Sequence, residues 1–346
     1  MQAFQSKLPV VFRPHRDEAL SSWLARIAGV YRFDLAALTS ECLGWLPDRL
    51  AEIDLAPSKA TLDDLSRLTR ADPSTVAHCT VHGVSPDWLP DWVTLQAARL
   101  HMNNQATSFP AGVGFQVCMA CLGDDLSRGS QFLRLEWLCA AVTICVRHQT
   151  PLQACEEPLS ALRCRQSRAG ARFSIYSELE HLRLYSNRHS QSLRVLSSFE
   201  QALKAALTGR SYGLLAGREF VAVVTDLTWA LLQKVADDGT RLAHHLEVTQ
   251  FPIPPGWRIP ITLHTLSRVD IRFRQAILAI IACLLLPQHF ATMASTSSYL
   301  SRPDACSHLL RILGPEQADA LLAHSRRWPT YFRMRMMRAK GKPIAR

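Results

Sequence analysis

Two short cysteine-bearing segments constrain this chain more than anything else in it. Cys118-Met-Ala-Cys121 is separated by 23 residues from Cys145-Val-Arg-His148. Two ligands three residues apart can grip one ion from a single turn of backbone, and two such grips supply the four donors of a tetrahedral site. Three thiolates and one imidazole are a structural zinc set. Because protein fills all four positions, none is left for the water that a catalytic zinc activates. One structural Zn2+ per chain is expected, held by Cys118, Cys121, Cys145 and His148, with Cys155 the alternative to His148. Cys139 lies between the two pairs, and Cys42, Cys79, Cys283 and Cys306 are isolated enough to be core residues.

The ten cysteines would suit a disulfide framework only in a small secreted chain, and this one has 346 residues. Residues 1–20 hold Lys7, Arg13, Arg16, Asp17 and Glu18 and no apolar signal stretch, and the longest apolar run, 276–286, falls short of the roughly 18 to 20 residues of a membrane span. A cytoplasmic location, with no membrane partner, is expected. In a reducing compartment the paired cysteines favour metal over disulfide.

Charge divides the chain. Residues 1–162 carry 13 Lys and Arg against 17 Asp and Glu, and the remainder carries 26 against 12. The excess is densest in residues 163–210, with nine basic and three acidic side chains, and in residues 325–346, with eight basic and none acidic. Arg326, Arg327, Arg333, Arg335, Arg338, Lys340 and Lys342 are the candidate nucleic-acid contacts, suited to phosphates rather than to base edges. A polyanion is the natural partner of both segments, with solvated helix faces the alternative for each.

Hydrophobic periodicity is helical almost throughout. Leu20, Trp23, Leu24 and Ile27 share one stripe behind Asp17, a candidate cap, and a second helix starts behind Asp34 and ends near Gly44. Leu62, Leu65 and Leu68 form another stripe behind Thr61, and Asp72-Pro73 opens a short helix to His78. That pair has the outline of a helix-turn-helix, although Ser74, Thr75 and His78 offer few groups for phosphate or guanine. Helices are also expected up to about Met102, over 190–208, 220–236 (with 221–225 a possible strand), 266–286, 304–313, from Pro315 to Arg326, and over 330–338. The fold class is mainly α: an N-terminal helical, helix-turn-helix-like domain (1–105), a zinc-finger module (106–165), a basic helical middle region (166–250) and a C-terminal helical domain with a basic tail (251–346).

No catalytic constellation is present. The sequence has no P-loop, GxSxG or HExxH, and no His-x-Glu ahead of a Cys-x-x-Cys pair. Asp237-Asp238-Gly239 reads as a turn and His244-His245 as a surface or core pair, so the chain is not expected to be an enzyme.

Residues 12–28, Phe-Arg-Pro-His-Arg-Asp-Glu-Ala-Leu-Ser-Ser-Trp-Leu-Ala-Arg-Ile-Ala, resemble the start of TniQ/TnsD proteins, where a proline and an acidic residue precede a Leu-x-Ser-Trp-Leu-x-Arg-(Leu/Ile)-Ala helix. The cysteine segment resembles the same family through Cys118, Cys121, Leu122, Asp124, Asp125, Arg134, Trp137, Cys145, His148, Leu152 and Cys155. Leu313-Gly314 and Trp328 to Phe332 are weaker echoes. Members often carry a second cysteine-rich module, of which Cys155 and Cys164 would be remnants here. The resemblance implies a non-enzymatic target-selection subunit of a DNA transposition system. It would mark the insertion site on DNA directly or through a guide-RNA CRISPR complex, and would recruit an AAA+ ATPase regulator. It leaves homodimer formation open. The competing reading is a zinc-containing, sequence-specific transcriptional regulator.

Overall fold

A computed structural model of the chain describes residues 8–33, 35–45, 53–84, 115–129, 131–155, 190–207, 209–211, 217–237, 271–285 and 305–341. The expected helix up to Met102, the prolines of 251–260, His244-His245, Cys164, Lys342 and residues 163–189 of the basic segment 163–210 lie outside these residues. The protein is mainly helical, with a Cys3His cluster between helical regions. It divides into two compact units, residues 1–142 with 152–184, and residues 143–151 with 185–346. No helix among the described residues is long and apolar enough to cross a membrane.

The first unit begins with α1 (Leu20–Val30), α2 (Leu35–Leu43), α3 (Lys59–Thr69), α4 (Pro73–His78) and α5 (Val81–Val84). Their apolar stripes close on one core around Trp23, Leu24, Ile27, Leu38, Leu65, Leu68 and Val76. Asp17 does not cap α1. It adopts a left-handed φ of 61°, its carbonyl accepts the Leu135 N–H at 2.7 Å, and the helix starts three residues later behind Ala19. The reason is Glu18, buried and fully engaged: it accepts from the His15 N–H, the Ser22 hydroxyl and two guanidinium nitrogens of Arg26, at 2.6 to 3.1 Å.

Helix α3 likewise starts before Thr61. Ser58 is its N-cap and accepts from the Thr61 N–H at 3.2 Å, so Thr61 lies inside the helix. Asp72 holds the N-cap position of α4 and Pro73 follows it as expected, but the Asp72 side chain makes no cap hydrogen bond. Arg70, left-handed at φ 57°, turns the chain between α3 and α4.

Beyond this bundle, β1 (Phe115–Val117) leads into α6 (Met119–Ser127), a 3₁₀ turn follows at Leu135–Leu138, and β4 (Gln153–Cys155) returns antiparallel to β1 with Gln116 opposite Ala154. Leu133 ties this module to α1 within the same unit: its carbonyl accepts the Ala19 N–H at 2.9 Å, and its N–H donates to Ser22 Oγ at 2.9 Å.

The second unit contains the hairpin β2 (Ile144–Cys145) and β3 (Thr150–Pro151), then α7 (Ser190–Leu207), α8 (Gly217–Asp237), α9 (Ile271–Leu285), α10 (Ala305–Leu313), α11 (Pro315–His324) and α12 (Thr330–Lys340). Residues 221–225 are helical, not a strand, because Val221, Val223, Val224 and Leu227 all belong to the buried side of one long helix. Gly314, at φ 78°, makes the tight passage from α10 to α11 that its missing Cβ permits. α11 stops at His324, and a 3₁₀ turn at Ser325–Arg327 carries the chain to Trp328-Pro329.

Candidate metal centre

Each half of the ligand set is made by a different local device. Cys118 sits at the N-cap of α6 in extended conformation (ψ 114°), and its sulfur accepts the Cys121 N–H at 3.4 Å. A thiolate at this position is stabilised by the backbone donors at the start of a helix. Cys145 and His148 sit on the β2–β3 hairpin, whose turn is closed by the Gln149 N–H on the Cys145 carbonyl at 2.8 Å, with Gln149 left-handed at φ 52°.

The ligand atoms of Cys118, Cys121, Cys145 and His148 all lie within 4.8 Å of one another. Cys145 Sγ and His148 Nδ1 are 3.6 Å apart. In a zinc tetrahedron, bonds of about 2.3 Å to sulfur and 2.0 to 2.1 Å to nitrogen separate neighbouring donors by about 3.5 to 3.8 Å. The three cysteines are buried and His148 is half-buried. Donor types, separations and burial therefore fit a metal ion with four protein ligands, and this cluster could hold one. The backbone of Cys155 closes β4 opposite Phe115, and its side chain lies outside the described residues.

Within the second unit the hairpin is anchored by side chains far from it in sequence. Glu200, on α7, is 2 % exposed and accepts the backbone N–H groups of Thr143 and Ile144, both at 2.9 Å, together with the Thr143 hydroxyl. Gln275, on α9, donates to the Thr143 carbonyl at 3.1 Å. Burial pushes the Glu200 carboxyl up to about 8, against the lowering effect of these donors and of Arg274. Gln116, two residues before Cys118, donates to the carbonyls of Cys139 (2.8 Å) and Val142 (2.6 Å). The signal for Glu200 was in the sequence: it falls on the stripe Leu193, Leu196, Leu203, Leu207, where a carboxylate has no reason to be unless it is paired.

Arg134 and Trp137 support the same module. Arg134 makes a two-pronged ion pair with buried Asp125 at 2.9 and 3.0 Å and lies over the Phe132 and Trp137 rings at 4.5 and 4.8 Å.

The basic residues near the C-terminus are not all presented to solvent in the same way. Arg327 pairs with Asp226, Lys340 pairs with Asp319, and Arg335 donates to the Leu284 carbonyl at 3.2 Å. Arg333 is half-buried, while Arg326 and Arg338 are exposed.

No curated protein and no solved structure was found to match the chain. Among protein families, TniQ matches over residues 9–152.

Proposed function

We propose that this chain, whose residues 9–152 form a TniQ family domain, is a non-enzymatic adaptor that selects the target site of a DNA transposition system. The family domain carries the reading, because it spans the N-terminal bundle and both ligand pairs together. Four regions divide the work: the helical domain of residues 1–105, the metal module of 106–165, a basic middle region of 166–250 and the C-terminal helical domain of 251–346. A role for α3 and α4 in meeting DNA or a partner fits their hairpin arrangement, with Ser74 and His78 exposed.

Zinc is the ion that suits Cys118, Cys121, Cys145 and His148, and in a site with four protein ligands it would supply folding energy rather than chemistry. The address on the target would be read from DNA or received from a guide-RNA complex, and an AAA+ ATPase regulator would be recruited to it. Phosphate contacts fall to Arg326, Arg327, Arg333, Arg335, Arg338, Lys340 and Lys342, of which Arg326, Arg327, Arg338 and Lys340 are exposed among the described positions.

Pull-down tests the assignment. The purified chain should retain its cognate ATPase or a guide complex and leave DNA uncut. Metal-dependent strand cleavage lost on replacing one carboxylate would overturn it, and high-affinity recognition of a specific operator without any ATPase partner would favour a transcriptional regulator. The metal reading has its own check: purified protein should carry close to one zinc per chain, and Cys145→Ser should lower both zinc content and melting temperature.

A further inference from the structure

Within the second unit, α8 meets the end of α11 and its following turn through two connections spaced one helical turn apart. Asp226 accepts from the Arg327 guanidinium and from Trp328 Nε1 at 2.7 Å. Three residues further along α8, and three to four back on the facing segment, Trp229 lies edge-to-face with His324, ring centroids 5.8 Å apart and planes at 63°. The first connection has its acceptor and the indole inside, with Asp226 6 % and Trp328 4 % exposed. The second is open: Trp229 is 37 % exposed and His324 is exposed.

This unit buries its other large described rings. Phe199, Phe220, Trp328 and Phe332 are all 4 % exposed or less, so an open indole beside an open imidazole stands apart from the packing around it. An exposed cation lies close to the pair in the sequence. Arg326 is exposed two residues from His324, and no acidic side chain occurs in residues 325–346. Asp226, the acid at the junction, is already occupied. Indole and imidazole rings with adjacent arginine are what nucleobases stack on, with phosphate nearby, and stacking tolerates any base because every base has a π face. In a duplex those faces are covered by neighbouring pairs, so rings standing at a helix surface reach them only where the strand is unpaired.

We propose that Trp229 and His324 form a stacking platform for single-stranded nucleic acid, with Arg326 meeting the adjoining phosphate. This rests on the reading of the C-terminal region as nucleic-acid-binding and adds the class of strand it takes. A protein partner fits less well, since the exposed flanking positions Ala323, Arg326 and Arg327 offer little apolar area to bury.

Fluorescence anisotropy of the full chain with a labelled oligo-dT strand and with a labelled duplex of equal length, at one salt concentration, tests it. Trp229→Leu should weaken oligo-dT binding about tenfold and Trp229→Phe should recover most of that loss, while duplex binding stays within about twofold for both. His324→Ala, which removes an exposed ring, should weaken oligo-dT binding in the same direction and guards against a folding defect in the leucine variant. Equal oligo-dT affinity for the wild type, Trp229→Leu and His324→Ala overturns the platform, as does equal loss on strand and duplex. If the wild type binds duplex but not oligo-dT, the platform falls and the phosphate contacts stand. If it binds neither, both readings fall. Loss of a protein partner from Trp229→Leu with oligo-dT binding unchanged would make the patch a protein dock and would likewise overturn the proposal.

Discussion

Asp54 and Glu200 are carboxylates buried in different units, and each is spent on holding backbone. Asp54 accepts from the Ser21 N–H at 2.7 Å and its hydroxyl at 2.6 Å, and burial outweighs these donors, pushing its carboxyl from 3.8 up to about 6. Between those values the folded protein keeps a proton that the unfolded chain has released, so this site's contribution to stability is full below pH 3.8, declines to about pH 6 and is flat above. Asp54→Asn should remove that decline, seen as a difference between variant and wild-type denaturation midpoints that shifts in the variant's favour as pH rises across this window. Glu200→Ala leaves the Thr143 and Ile144 N–H groups buried without their acceptor and should cost about 3 kcal/mol by denaturant titration. It should also weaken metal binding about tenfold or more in a chelator competition, because the strand that carries Cys145 loses its anchor. Glu200 could be suspected from its own helix stripe, whereas Asp54 could not, since its partner Ser21 is 33 residues away and nothing local requires the pairing.

Helices were legible wherever an apolar stripe ran for several turns. α2, α7, α9 and α10 fall within the ranges that their periodicity marks, and Gly314-Pro315 separates α10 from α11 as glycine and proline should. Helix starts were less legible, because a start depends on what competes for the capping residue. Asp17 and Thr61 have the right chemistry for caps, but the Asp17 backbone is drawn into a contact with Leu135, and Ser58 captures the first turn of α3 ahead of Thr61. The two real N-cap positions separate cap chemistry from cap geometry. Ser58→Ala should destabilise the first unit by about 1 kcal/mol, and Asp72→Ala, which breaks no cap hydrogen bond, should cost much less, with thermal or urea denaturation as the readout.

At the scale of the whole chain, the cysteine spacing told which four side chains meet, and the structure brings those four together. It could not tell what steadies them, because Glu200 and Gln275 reach Thr143 across 57 and 132 residues. The charge asymmetry was equally plain, but not its local pairing: Asp226 and Asp319 each engage one of the basic residues counted toward a polyanion surface. Deleting residues 342–346 removes Lys342 and Arg346 and should reduce the slope of log affinity against log salt on duplex DNA by about 2 if both meet phosphate, with α12 intact by circular dichroism. The division of the ligand set into two pairs also has a consequence in time. A ribosome adding about 5 to 20 residues per second delivers Cys118 and Cys121 roughly 1.4 to 6 seconds ahead of His148. By then residues 8–79, which hold the described core of the N-terminal bundle, have already been made, so the nascent chain can fold one body while two thiols wait for the hairpin that completes their site.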